Sequence, residues 1–326
     1  METVSCTLEQ MCSFVALRKA ARKSIRHIVI TEKIATFLCD LDMNLLVLRN
    51  ALLNGSWQPK PMHVFEIRDP KPRLIQAAAI EDRIVHHALC AKLEPIFAHM
   101  YHSNSFACQK GKGNQKAVEQ ATRYCRRFSY FAKLDIRHYF ESFPHTPFLE
   151  RISPHIMDGR VLEILNKLLV HGQNKEGMGL PIGNLTSQHF ANCYLHFFDD
   201  WCTQIDVPWI RYMDDILLFS NNRLGLEETV HSAMIFLNEE LHLPIKYAAF
   251  REGGTTCGVP FLGFRIFPGR IRLDAARKRR FFRKMNKAWK HREDAGVQQS
   301  MRSIIAWTEQ GDCISLRRSW HKRRGD

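Results

Sequence analysis

The chain has 326 residues, 45% of them hydrophobic, enough to build a substantial core in one large domain or in two to three lobes. Forty-seven Lys and Arg against 33 Asp and Glu leave a charge of +14, which makes nucleic acid the first partner to consider and a membrane surface the duller alternative. The ten cysteines, at 6, 12, 39, 90, 108, 125, 193, 202, 257 and 313, form no CxxC pair and no Cys/His knuckle, which argues against a disulfide scaffold or zinc site and for reduced thiols in a cytoplasmic protein.

METVSCTLEQ lacks a basic region followed by an apolar one, and no apolar run approaches the roughly 18 residues that span a bilayer, so neither secretion nor membrane insertion is expected. Residues 1–60 read as a helical extension without a functional signal, with apolar periodicity through IATFLCDLDMNLLVLRNALLNG closed at Gly55. HVFEIRDPKPRLI predicts two short strands around a Pro-containing turn, and IEDRIVHHALCAKLEPIF an amphipathic helix. YFAKLDIRHYF predicts a strand ending near Asp135. A helix is expected near 159–171, and GMGLPIGNLTSQHFANCYLHFFDDW predicts a Gly/Pro loop that becomes helical from about Ser187.

WIRYM and ILLFS predict a β-hairpin with Asp214-Asp215 as its tip, and GVPFLGFRIF predicts another strand with glycines at a close backbone approach. Residues 270–326 carry 17 Lys/Arg and 6 Asp/Glu, so +11 of the +14 lies there. In ARKRRFFRKMNKAWKHR the helical spacing of Phe281, Phe282, Met285 and Trp289 suits a helix that packs by one side and meets phosphate with the other.

Two aspartates at a hairpin tip have a bland reading, because aspartate tolerates wet turns. Against it, hairpins prefer Asn-Gly or Asp-Gly, and adjacent carboxylates repel unless a cation compensates them. Magnesium is such a cation, a hard ion that takes carboxylate and phosphate oxygens. Two-metal phosphoryl transfer needs ions about 3.5–4 Å apart held by converging acids. Asp135, at the end of another apolar strand, is the natural third.

YMDD at 212–215 resembles the catalytic motif of reverse transcriptases, and further blocks follow in that family's order from about 60 to 270. KPRLI with EDRIVHHAL resembles the fingers, SFACQKGKGNQKAV the block after them, and KLDIRHYFESF the first catalytic block. LPIGNLTSQ resembles the loop and helix beneath the incoming nucleotide, LHLPIKY the block after the catalytic hairpin, and VPFLGF the primer grip. LPIGNLTSQHFAN, with Ile182-Gly183 where most of the family has Gln-Gly, is similar to the reverse transcriptases of diversity-generating retroelements, which copy a template RNA inaccurately, chiefly at adenines. An apolar side chain in place of a glutamine that could hydrogen-bond the sugar implies looser nucleotide alignment.

The resemblance implies an α+β, right-hand polymerase: an N-terminal extension (1–60), fingers with the start of the palm (61–132), first palm segment (133–149), connecting helices (150–180), palm with hairpin and primer grip (181–268) and a basic helical thumb (269–326). It implies that Asp135, Asp214 and Asp215, with the backbone of Ile136, hold two Mg²⁺, Mn²⁺ being able to substitute. Lys71 and Arg73 would hold the triphosphate, Phe140 would act as the steric gate, and Ile182, Gly183 and Gln188 would shape the nucleotide pocket. Lys246 would be the general acid to pyrophosphate, or a solvated lysine. Tyr212, Met213, Phe261, Leu262 and Gly263 would meet the primer, and Arg277, Lys278, Arg280 and Lys284 would track the RNA/cDNA duplex. The implied partners are template RNA, dNTPs and an oligomeric small basic accessory protein. A related enzyme of retron-like type or of phage defence is the alternative, and a non-catalytic RNA-binding protein a more distant one.

Overall fold

The computed structural model describes residues 7–26, 28–68, 72–245, 251–290 and 294–322. Side-chain oxygens of Thr7 and Ser13 cap α1 (Leu8–Met11) and α2 (Phe14–Ser24), accepting from the N–H groups of Gln10 and Ala16. The periodic run that follows is two helices, not one: α3 (Glu32–Cys39) and α4 (Leu41–Leu53) break at Asp40, whose ψ of 39° leaves the helix. A short polar side chain competes with the helical backbone there, and the Asn44 side-chain amide donates to Phe37 O across the break at 2.9 Å. Gly55, at φ +75°, follows the end of α4.

β1 (His63–Arg68) and β2 (Pro72–Ala77) form the expected antiparallel pair, and α5 (Ile80–Met100), α6 (Asn114–Arg127), β3 (Tyr130–Asp135), α7 (His145–Ile152) and α8 (Gly159–Gly172) follow. α9 (Leu185–Tyr194) begins two residues earlier than expected, directly after Asn184. Then come α10 (His196–Gln204), β4 (Trp209–Tyr212), β5 (Asp215–Ser220), α11 (Arg223–Ile235) and β6 (Arg251–Gly254). GVPFLGFRIF is a hairpin and not one strand: β7 (Val259–Phe261) and β8 (Phe264–Phe267) are joined by Leu262 (φ 45°) and Gly263 (φ 75°), the left-handed pair of a tight turn. β9 (Arg270–Leu273), α12 (Ala275–Lys290), α13 (Ala295–Glu309) and α14 (Ile314–Lys322) complete the chain. Among the described residues the nine cysteines are thiols outside any disulfide, and no helix is long and apolar enough to cross a membrane.

The chain divides into two compact units, one comprising 1–102, 136–199 and 236–244, the other 103–135, 200–235 and 245–326. In the first, α5 packs against α2 and α9, and Phe143, Phe148, Phe190 and Tyr194 form an aromatic core with ring centroids 5.1 Å apart for Phe143 and Phe148. β2 is fastened to the loop before α9: Gln76 N–H donates to Ile182 O at 2.9 Å and Ala78 N–H to Asn184 Oδ1 at 3.2 Å.

In the second unit an antiparallel sheet of order β4-β5-β3-β6 is apolar on both faces, which is why its strands read as nearly continuous hydrophobic runs. Phe131, Leu217, Phe219 and Ile210 face a core that includes Val118 and Ala121 of α6 and Phe261 and Phe264 of the β7–β8 hairpin. α11 packs against β3 and β5. Phe281, Met285 and Trp320, backed by Phe282 and Trp289, form a small core among α12–α14, as the spacing in α12 demands.

Gly183 sits at φ +119°, and a Cβ there would come within 2.8 Å of Ile75 Cγ2. Gly183→Ala is therefore expected to cost about 1–3 kcal/mol in urea unfolding, mostly backbone strain. Adding Ile75→Ala should recover only the steric part.

Candidate active site

The register of β3 against β5 pairs Asp135 with Asp215, so the two carboxylates stand opposite each other on one face, at the ends of adjacent strands. The hairpin tip is Met213-Asp214 and not Asp214-Asp215, because Tyr212 pairs with Asp215 and makes it the first residue of β5. Met213 takes the left-handed position, φ 55°, and Asp214 completes the turn beside the facing pair. Three acids thus gather within one unit, contributed by two strand ends and the turn between β4 and β5.

Two residues that sequence reading missed hold this arrangement. Lys133, two residues before Asp135 on the same strand face, places Nζ 2.7 Å from Asp215 Oδ1 and also donates to Pro260 O at 3.3 Å. The period of two between Lys133 and Asp135 was the available signal. Arg211 is fully buried; its Nη1 donates to Met213 O at 3.3 Å, while its own N–H and C=O bond Asn104 O and Phe106 N–H at 3.0 Å. A charged residue inside an apolar strand was its only mark in the sequence.

Burial pushes Asp214 up to about 6; the charges of Asp215 and Asp135 add to the rise, while its own backbone N–H and Lys133 oppose it. Burial also raises Asp215, against the pull of Lys133 and a hydrogen bond from the Leu262 N–H. Three acids against one lysine leave excess negative charge, and the donor atoms are all carboxylate oxygens. That set fits a hard divalent cation such as Mg²⁺. Ile136 is buried, so its side chain contributes packing.

In the other unit, Arg73 is exposed on β2, the strand bonded to Ile182, and Gly183 lies against Ile75 of the same strand. The close approach at Gly183 is thus to a β2 side chain. Phe140 is half-buried, stacks edge-on to Tyr139 with centroids 6.0 Å apart, and accepts at its carbonyl from Leu180 N–H at 2.7 Å. Gln188 is exposed in the first turn of α9, whereas Ser187 is buried. His86 is buried with Nδ1 2.6 Å from Thr186 Oγ1. Lys71 and Lys246 lie outside the described residues.

In the β7–β8 hairpin, Phe261 is buried and the Leu262-Gly263 turn reaches Asp215 through the Leu262 N–H. Tyr212 is half-buried. The Arg277 side chain covers Gly263 so closely that a Cβ there would overlap its guanidinium, and it lies over the Phe264 ring at 5.8 Å. Arg277, Arg280 and Lys284 line a groove of about 280 Å³ between α12 and α13, together with Phe281, Ser303 and Ile304. Lys278 is exposed and is not among the residues lining that groove.

The family described as reverse transcriptase (RNA-dependent DNA polymerase) matches residues 59–266, which contain all three acids. The chain belongs to the reverse transcriptase family. Its domain is that of an RNA-directed DNA polymerase, an enzyme class that works with divalent metal ions. Among curated relatives, protein YkfC of Escherichia coli (strain K12) is 27% identical over 288 residues, 73% of this chain and 74% of that one. The group II intron-encoded protein LtrA of Lactococcus lactis is 23% identical over 170 residues, 49% of this chain and 28% of that protein. Two telomerase structures from Candida tropicalis, one apo and truncated from the C-terminal domain and one with a fragment of telomeric RNA, share the fold. Their TM-scores are 0.50 and 0.51, each at 11% identity, with the chain spanning 59% and 56% of their length. The α+β architecture of this reverse transcriptase is accordingly that of the right-hand polymerases.

Asp214 binds its proton more tightly in the folded chain, so its contribution to stability declines as pH rises from about 4 through about 6. At pH 7.5 in chelator, Asp214→Asn should melt a few degrees higher, on the order of 1–2 kcal/mol, with the gap closing by pH 4. An equal or lower melting point would contradict the burial argument. Lys133→Met should lower the melting point in chelator by about 1–3 kcal/mol, because Asp215 loses its counter-ion, and Mg²⁺ should restore more stability to it than to the parent.

Proposed function

We propose that the chain copies a template RNA into cDNA, inaccurately at adenines, as the polymerase of a diversity-generating retroelement. The observation that carries the polymerase reading is the pairing of Asp135 with Asp215 at adjacent strand ends, with Asp214 in the adjoining turn. These three would hold two Mg²⁺, or Mn²⁺ in its place, and the ions would supply activation of the primer 3′-hydroxyl and neutralisation of the leaving pyrophosphate. The chain's own task is positioning. Lys133 and the Leu262 N–H fix Asp215, Arg211 fixes the Met213 carbonyl, and the Leu262-Gly263 turn sets the primer end relative to the acids.

On this reading β1 and β2 are the fingers, the sheet of β3–β6 the palm, and α12–α14 a thumb whose Arg280 and Lys284 meet duplex phosphates. Arg73 would bind the triphosphate, with Lys71 and Lys246 as further cations at the polyphosphate, and Phe140 would reject a ribose 2′-hydroxyl. Ile182 supports the inaccurate-copying reading: it offers no side-chain hydrogen bond to the nucleotide sugar, and its carbonyl is already committed to Gln76. Partners would be the structured template RNA and an oligomeric small basic accessory protein.

Primer extension on RNA with dNTPs and Mg²⁺ should give product that disappears in the Asp214→Ala/Asp215→Ala double variant while RNA binding persists. Sequenced product should carry errors opposite template adenines, and Ile182→Gln should reduce them several-fold. Accurate product from the parent would instead favour a retron-like or phage-defence role. Equal loss of RNA binding in the double variant would contradict the metal-site reading.

A further inference from the structure

Residues before 60 carry no motif, yet they build one wall of a basic groove. α2 packs along α5, and between them opens a groove of about 460 Å³ within a single unit. Its lining includes alanines from both helices, Ala16 and Ala20 of α2 and Ala88 and Ala91 of α5, and cations from both, Lys19, Arg22 and Lys23 of α2 and Lys92 of α5. In α2 the positions 16, 19, 20 and 23 fall on one helical face, and in α5 so do 88, 91 and 92. Of the alanines, Ala20 and Ala88 are buried. Lys19, Arg22 and Lys23 are exposed and Lys92 is half-buried.

These cations are uncompensated. α2 contains four bases and no acid. Its Arg18 reaches Asp42 at 3.7 Å, but among the described residues no carboxylate lies within ion-pair distance of Lys19, Arg22, Lys23 or Lys92. Burial, with the fields of Arg83 and Lys23, holds His87 at the groove below its ordinary value. Gathering like charges costs repulsion that a polyanion removes.

The lining also says which polyanion. Grooves that track single strands stack bases on aromatic side chains, and this lining offers only the His87 ring. Lys19 and Lys23 lie about 6 Å apart along the helix at 1.5 Å of rise per residue, a row suited to successive phosphates. We infer that the α2–α5 groove is an RNA-binding surface that takes the phosphodiester backbone of a double-stranded stem. It rests on the reading of the chain as an enzyme that works on RNA, and it assigns a role to the extension that the sequence left blank. Contacts of this kind read shape and charge and not base sequence.

The test uses the full chain, a fluorescein-labelled RNA hairpin with a stem of about 16 base pairs, and the variant K19Q/R22Q/K23Q/K92Q. We expect at least tenfold weaker binding and a log–log salt slope smaller by about two to four, at roughly 0.9 for each phosphate that the variant no longer neutralises. Extension of a primer on a short unstructured RNA template should be unchanged, which also shows that the variant folds. If the variant unfolds, Lys19→Gln/Lys23→Gln is measured in the same way, with about half the change in slope. Unchanged affinity and slope would overturn the inference, as would equal loss of extension on the short template by a folded variant. Stronger dependence of these residues on phosphatidylserine vesicles than on the stem would overturn it in favour of a membrane. A parent chain that shows the groove-dependent stem binding yet extends no primer would count against the polymerase reading alone.

Discussion

Three carboxylates brought together at the ends of buried strands repel one another, and the folded chain must hold them there before any substrate arrives. Burial and mutual repulsion both favour protonation, as the rise of Asp214 to about 6 records. The antiparallel register of β3 and β5 forces Asp135 and Asp215 face to face, and Lys133 answers with a cation 2.7 Å from Asp215. Much of the second unit follows from that geometry. The sheet packs on the core that holds the β7–β8 hairpin, and the turn of that hairpin brings the Leu262 N–H to Asp215 as another donor.

Arg211 extends the same logic to the turn. A left-handed Met213 exposes a carbonyl that would otherwise be poorly satisfied, and a buried guanidinium holds it. The strand carrying Arg211 is braced again by backbone bonds to Asn104 and Phe106. In the first unit the equivalent demand is met by glycine, since only Gly183 can hold φ +119° against Ile75 while β2 ties into the Ile182 carbonyl.

Much of the fold was legible because period and turn chemistry are local. The β1/β2 pair, α5, the end of β3 at Asp135, and the aromatic side of α12 all follow from spacing that any sequence window contains. The errors were local as well. One polar residue, Asp40, split a periodic run into two helices, and a left-handed Leu262-Gly263 pair turned one expected strand into a hairpin. The β4–β5 hairpin tip lies one residue earlier than expected because Tyr212 pairs with Asp215, a register that the turn geometry sets.

By itself the sequence determined the chemistry: oxygen-rich acids at strand ends, a reverse transcriptase order of blocks, and an excess of positive charge for a polyanionic partner. Tertiary structure alone decided which residues make that chemistry tolerable. Lys133 beside Asp215, His86 against Thr186, the backbone bonds of Arg211 to Asn104 and Phe106, and the groove that Lys19 and Lys92 both line join segments that no window of sequence contains. The reason is physical. Patterns of period two or 3.6 report which face of an element is buried, whereas electrostatic compensation depends on distances between elements, and those exist only once the chain has packed.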